Sequence, residues 1–298
     1  MTSNNEKKFS YALLVIPAML IYLSVMAFPT IFSVLLSLTN YNGGRIFGNP
    51  NVRFVGLNSY IWMFTEPTGN FYTALKNNML IVAVSVFGQI PLGFCLAYIL
   101  SRKMIKGTDF FQTMIYLPNV ISPVIIAILF RNFYLSPESV YMEIRRFFNP
   151  AAEFTLNNAP MIPVLVVILW MFTGFYMIIF LANLQRIDVQ VIEAAKIDGA
   201  TERQVLLHII LPALSGVIVT CAILAIAGSL KSFDLIWIMT GGGPAGQTRV
   251  LSIYMYLSAF QGAPNYPLAN AISTVMVLIS FALIIITRRV EKIFGGKG

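Results

Sequence analysis

Six stretches of this chain are apolar for long enough to cross a lipid bilayer. Crossing a hydrocarbon core takes about 20 apolar residues in a helix rising about 1.5 Å per residue. The runs are Tyr11 to Leu38 (span one), about Asn78 to Leu100 (span two) and about Phe110 to Tyr134 (span three). Met161 to Leu184 (span four), about Ala213 to Ile238 (span five) and about Leu268 to Thr287 (span six) complete the set. Pro17 and Pro29 lie inside span one, and Pro118, Asn119 and Pro123 interrupt span three. Such prolines are tolerated in lipid because neighbouring helices re-satisfy the freed carbonyls. The pattern predicts an all-α integral membrane protein with six transmembrane helices.

Composition agrees. The 298 residues are 57% hydrophobic and 11% charged, whereas a water-soluble domain carries about 25% charged residues. Length alone would suggest about two soluble domains, but the apolar runs favour one bundle of spans. The net charge of +8 does not point to nucleic acid. The bases cluster at the ends of apolar runs, and no basic patch is interleaved with aromatics. Cys95 and Cys221 each lie inside an apolar run and read as small buried hydrophobes. A single histidine, His208, without a Cys or His cluster argues against a metal site. Residues 1–10 are polar, and the run after them lacks a small-x-small cleavage site. That run reads as a retained first span rather than a signal peptide.

The basic residues also suggest an orientation. With both termini inside, the inner segments hold Lys7, Lys8, Arg102, Lys103, Lys106, Arg186, Lys196, Arg203, Arg288, Arg289, Lys292 and Lys297, twelve of the twenty bases. The expected organisation is a cytoplasmic tail at 1–10, a transmembrane domain at 11–290 and a cytoplasmic tail at 291–298.

The inner segment from Gln185 to Pro212 is unusually long for a connection between bundled helices, which most often takes about 2–8 residues. Asp188 can cap a helix carrying Val191, Ile192, Ala194 and Ala195, and Gly199 marks its end. Thr201 to His208 then reads as a second short helix leading into Pro212. Such a helix–turn–helix suits either docking to a partner or packing on its own bundle.

The residue spacing within it adds a resemblance. Glu193-Ala194-Ala195, then Gly199, then Ile209, Leu211 and Pro212 fit the pattern EAA-x3-G-x9-I-x-LP at every fixed position. This resembles the signature of membrane subunits of ABC importers. Ile197-Asp198-Gly199-Ala200-Thr201, Phe54-Val55-Gly56-Leu57-Asn58 and Gly242-Gly243-Pro244 are similar to stretches of the maltose-type and oligosaccharide-type permeases. One departure is Gly216, where many relatives have a second proline. The resemblance covers about residues 10 to 290. It implies a type I ABC importer permease fold with a cytoplasmic coupling helix, and coupling to an ATPase through Glu193, Ala194, Ala195, Asp198 and Gly199. In physical terms, the alanines allow close approach to a partner. Glu193 can pair with a base, and Gly199 permits a reversal at positive φ. The implied partners are a second permease subunit, two ATPase subunits, an extracellular solute-binding protein and the bilayer.

Gly241 to Thr248 reads GGGPAGQT, which is near the phosphate-cradling GxxxxGK[ST]. Gln247 stands where the lysine would be, so the charge that reaches phosphates is missing. The stretch reads as an extracellular turn, and no cofactor is expected on this chain. Mg-ATP would be held by the separate ATPase, and no catalytic or metal-binding residues are expected here.

Polar residues within spans mark pathways. In span five Ala225, Gly228, Ser229 and Ser232 share a helical face, suited either to sugar hydroxyls or to close helix packing. By resemblance, the maltose-type permeases bind sugar here. Lys231 and Asp234, at i and i+3, read as an intrahelical pair or as a charge for an acidic sugar. Span four offers Trp170, Phe172, Phe175 and Tyr176, either for stacking on sugar rings or for packing and lipid contact. Asn77, Asn78 and Gln89, with Asn119 and Ser122, read as interhelical hydrogen bonds or gate elements. Arg45, Arg53, Arg145, Arg146 and Arg249 sit in outer loops that would meet a binding protein or simply be solvated. The rival readings are an ion-coupled secondary transporter, which would need ionisable residues deep in the spans, a membrane enzyme, and an importer of a non-sugar solute.

Overall fold

The computed structural model describes residues 4–46, 48–102, 107–134, 139–148 and 161–294. Lys103, Lys106 and Lys297 of the charge bias lie outside these residues, as do the side chains of Lys7, Lys8, Arg145 and Lys292. The described residues are helical, with one isolated bridge between Thr39 and Phe54. Among the described residues four helices are long and apolar enough to cross a membrane: Leu13–Ser37, Asn70–Ser101, Met161–Leu184 and Tyr266–Glu291. Two bent pairs, Thr108–Val120 with Pro123–Tyr134 and Glu202–Ala213 with Ser215–Leu230, raise the number to six if each counts as one span.

The chain divides into two compact units. The first holds residues 1–69 and 254–277. Within it the Ser33 hydroxyl donates to Asn270 Oδ1 at 2.6 Å, and the Ser37 and Tyr60 hydroxyls lie 2.6 Å apart. Its first span is exposed along most of its length, with Leu14, Ile21 and Val25 among the exposed residues.

The second unit, residues 70–253 and 278–298, holds spans two to five. Small residues bring their backbones together, the main packing device where lipid removes the hydrophobic drive between helices. A Cβ on Gly93 of span two would sit 2.9 Å from the Met177 nitrogen of span four. A Cβ on Gly174 would lie 2.9 Å from Tyr116 Cα of span three, and closer still to the Ile115 carbonyl. Buried amides also bridge neighbouring spans. Gln89 Nε2 donates to the Ile168 carbonyl at 2.7 Å, and Asn78 Nδ2 donates to the Ser229 carbonyl at 3.0 Å.

Among the described residues three π-helical turns punctuate the helices: Leu23–Ala27, Ser85–Gln89 and Leu206–Ile210. Each ends two residues before a proline: Pro29, Pro91 and Pro212. A proline in a helix removes a donor and crowds the carbonyl one turn back, and a local π turn absorbs both effects.

The structure corrects several expectations. Span two starts at Asn70, eight residues before the expected Asn78. Span three bends by 92° at its expected weak point, between Val120 and Pro123. Span five is not continuous to Ile238: Ser215–Leu230 ends at Lys231, and Asp234–Thr240 is a separate helix. The intrahelical pairing of Lys231 with Asp234 therefore does not occur. Three short helices were not anticipated, Asn58–Thr65, Val140–Phe148 and Leu251–Phe260.

Candidate solute cavity and docking segment

A cavity of about 190 Å³ lies within the second unit, walled by spans two, four and five. Span two supplies Ile81, Ser85 and Gln89, and span four supplies Ile168, Phe172 and Tyr176. Span five and the break after it supply Ala225, Gly228, Ser229, Lys231 and Ser232, followed by Phe233, Asp234 and Leu235. Pro123, at the bend of span three, completes the wall.

Ser85, Ser229 and the Gln89 amide nitrogen in this wall are held by the chain itself. The Ser229 hydroxyl donates to the Ser85 hydroxyl at 3.1 Å. Asn78 is fully buried behind them, and its Oδ1 accepts from the Leu251 backbone N–H at 2.7 Å. Gln89 is 2% exposed. Its amide nitrogen is spent on the Ile168 carbonyl, and among the described residues no donor reaches its carboxamide oxygen. Gly228 leaves open space where a side chain would stand.

Seven of the eight expected pathway residues line this cavity: Phe172, Tyr176, Ala225, Gly228, Ser229, Lys231 and Ser232. Ser232 does so from beyond the helix end. Phe175 does not line it; the ring meets Tyr176 edge-on at 5.3 Å and packs against the buried cluster. Trp170 is half-exposed and meets Phe130. Ser85 was absent from the expected pathway, and Gln89 was read there only as a bond or gate. Two polar residues four apart in an apolar run, just before Pro91, were the available signal.

The turn 241–250 follows the separate helix Asp234–Thr240. Gly241 adopts φ +62° as a helix C-cap, and the Thr248 hydroxyl donates to the Gly243 carbonyl at 2.9 Å. Asn77 Nδ2 reaches the carbonyls of Gln247 and Arg249, both at 2.8 Å, and Arg249 donates to Asn70. The amides at 77 and 78 thus replace water for the loop carbonyls and the neighbouring helix. This is also why span two starts earlier than its apolar run.

The segment joining spans four and five forms a helix, a reversal and a second helix. Asp188 caps Val189–Ile197 by accepting from the Gln190 N–H at 2.9 Å. Gly199 reverses the chain at φ +85°, in the left-handed region that costs other residues strain. Thr201 and Gln204 then form a reciprocal capping box for Glu202–Val205, satisfying two otherwise orphaned donors. Lys196 Nζ meets Glu202 Oε1 at 2.5 Å across the reversal. This hydrogen bond, first among its causes, holds the Glu202 carboxyl below the usual carboxylate range.

Helical geometry sorts the motif residues. Ile192 and Ala195 pack against the buried cluster of the bundle. Gln190, Glu193, Ala194 and Ile197 share the opposite face and are exposed, Ile197 by 86%. The two motif alanines therefore differ: Ala194 faces outward, while Ala195 seats the helix on its own bundle. Asp198 and Gly199, also exposed, border a groove with Gln204 and His208.

A multi-span helical bundle with an internal cavity that carries a few polar groups on a mostly apolar wall, and with an exposed helix–turn–helix between two of the cavity-forming spans, is a membrane transport subunit. The chain belongs to the family of binding-protein-dependent transport system inner membrane components, whose pattern matches residues 89–296. It is 32% identical to the probable ABC transporter permease protein YurN of Bacillus subtilis, over 94% of each chain. It is 30% identical to the multiple sugar-binding transport system permease protein MsmF of Streptococcus mutans, over 97% of each chain. Its fold matches a chain of a bacterial alginate ABC transporter, solved in complex with an alginate pentasaccharide-bound periplasmic protein. The TM-score is 0.80 at 22% identity, covering 98% of this chain and 97% of that one. The fold is that of a type I ABC importer permease, and the protein is a multi-pass membrane protein.

Proposed function

We propose that this chain is one half of the translocation pathway of an ATP-driven carbohydrate importer. The observation that carries the reading is the pairing of a cavity with a docking segment on shared helices. Spans four and five supply cavity walls, and the exposed Glu193–Gly199 face lies on the segment that joins them. Carbohydrate is supported by the naming of MsmF for sugar transport and by the cavity's chemistry. Hydroxyl and carboxamide groups at Ser85, Gln89, Ser229 and Ser232 offer hydrogen bonds, and the rings of Phe172 and Tyr176 offer stacking surfaces.

Several finer assignments belong to the same proposal. The cavity of about 190 Å³ is smaller than the roughly 300–1,000 Å³ of ordinary ligand sites. That favours a half-site completed by a second, similar permease subunit. The exposed motif face would dock on one of two separate ATPase subunits, where Mg-ATP is hydrolysed, with Glu193, Ala194, Asp198 and Gly199 at the contact and Ala195 behind it. An extracellular binding protein would deliver the solute. Both termini would lie in the cytoplasm, flanking a membrane domain at 11–290 with its coupling loop at 185–212. Binding-protein docking and ATP binding would favour the outward-open state, and hydrolysis would reset it.

Co-purification of the ATPase with the chain tests the docking assignment. Wild type should retain the ATPase, whereas Glu193→Ala and Gly199→Pro should lose it or lose transport. If assembly and transport both survive in both variants, the assignment is wrong. A thermal-shift screen of neutral and acidic oligosaccharides against the cognate binding protein tests the solute class. Stabilisation by amino acids or peptides alone would refute carbohydrate.

A further inference from the structure

Glu202 sits where three structural elements meet. Its carboxylate holds Lys196 of the docking helix at 2.5 Å. The same carboxylate lies 3.4 Å from the Tyr98 hydroxyl and 3.6 Å from Arg102 Nη2, both at the end of span two. The Arg102 guanidinium stands over the Tyr98 ring at 5.4 Å, so the two span-two groups hold each other in place. Beneath them Ala97 and Leu100 share a buried cluster with Val205 and Ile210. The docking segment is thus fastened to span two, in addition to spans four and five, which it joins through the chain.

Span two links this cluster to the cavity, passing Pro91 and the π turn Ser85–Gln89 on the way. Asn70–Ser101 is a single helical span, and its π turn carries Ser85 and Gln89 in the cavity wall. At about 1.5 Å per residue, that wall lies roughly 13–26 Å along the helix from the Glu202 contact. Packed helices move as discrete elements rather than deforming continuously. A shift of the docking segment that pulls on Tyr98 and Arg102 therefore displaces the Ser85–Gln89 wall. An exposed ion pair contributes little stability, so the value of this cluster lies in fixing register between two moving parts.

We propose that Glu202 is a positioning residue that passes the movement of the docking segment into span two, and so to the Ser85–Gln89 wall of the cavity. The proposal rests on the importer reading given above. It adds a route into the cavity that the motif residues Glu193 to Gly199 do not supply.

The test uses the assembled importer in lipid, with Cys95 and Cys221 replaced by alanine. A single cysteine is placed either at Ser85, in the span-two wall, or at Gly228, in the span-five wall. Labelling by a small methanethiosulfonate reagent is compared in the nucleotide-free state and after trapping with ATP and vanadate. With Glu202 intact, trapping should change the labelling rate at both positions. In Glu202→Ala and Glu202→Lys the change at position 85 should be lost while that at 228 persists. Adding Arg102→Glu to Glu202→Lys should restore part of the response at 85. An unchanged response at 85 in both single variants overturns the proposal. So does loss of both responses together, which would place Glu202 upstream of the whole segment. If neither position responds with Glu202 intact, the importer reading itself fails and the proposal falls with it.

Discussion

The cavity wall and the docking segment treat their polar groups in opposite ways. In the cavity wall, Ser85, Ser229 and Gln89 bond within the bundle, and Asn78 braces them from behind. On the docking helix the polar and apolar groups of one face, Glu193 and Ile197 among them, stand exposed. A buried polar group without a partner is costly, so the cavity must be arranged before any solute arrives. An exposed face carries no such constraint and can wait for a second protein. One region is preorganised by its own chain, and the other is left incomplete until an assembly forms.

Substitutions can break this contrast in order of severity. The largest effect is expected at Gly174, where any side chain meets the Ile115–Tyr116 backbone of span three. Overpacking against backbone costs about 1–3 kcal/mol or more. Gly174→Val should lower the melting temperature in detergent or abolish expression of folded protein. Asn78→Leu should come next, since it strands the Leu251 N–H and removes one of the donors to the Ser229 carbonyl. Each orphaned buried group costs about 1–3 kcal/mol, readable as a lower melting temperature of the purified chain.

Gly228→Leu should separate folding from transport. Open space receives the side chain, so stability should stay near that of wild type while uptake by the assembled importer collapses. If uptake persists with the cavity filled, the pathway lies elsewhere. On the docking face, Ile197→Asp should leave the melting temperature of the isolated chain unchanged and weaken ATPase retention, as measured by pull-down.

The smallest effect concerns pH. The Glu202 carboxyl is held below its usual range by Lys196. A depressed carboxylate contributes stability above its unfolded value, and that stability is lost as pH falls through the folded one. Hydrogen exchange of 196–205, corrected for the intrinsic pH dependence of amide exchange, should therefore be flat near neutral pH and rise modestly on acidification below the usual carboxylate range. Glu202→Gln should remove that rise. The Glu202 side chain is 60% exposed, and solvent screening keeps the effect small.

Much of this architecture was legible in the sequence because run length and charge report directly on lipid. The motif spacing from Glu193 to Pro212 matched its family, and the Asp188 cap and the Gly199 reversal followed from ordinary helix chemistry. The failures have physical causes. The expected start of span two at about Asn78 left Asn70 to Asn77 outside it, yet Asn70 and Asn77 serve the 241–250 turn. The break at Lys231–Phe233 contains neither glycine nor proline; Phe233 departs from helical geometry at φ −136°. Ser229 and Ser232 could be found from spacing on one helix. Ser85 and Gln89 could not be assigned to the same cavity, because that depends on which face of span two meets span five. Phe175 fitted the aromatic pattern of span four but turns into the packing instead.

The most direct measurement of the central claim is uptake in proteoliposomes. The chain is reconstituted with its partner permease, ATPase subunits and binding protein, and driven either by ATP or by an ion gradient alone. Solute should accumulate with ATP and not with the gradient, and Gly228→Leu should abolish that accumulation. Accumulation driven by the gradient in the absence of ATP would contradict the account.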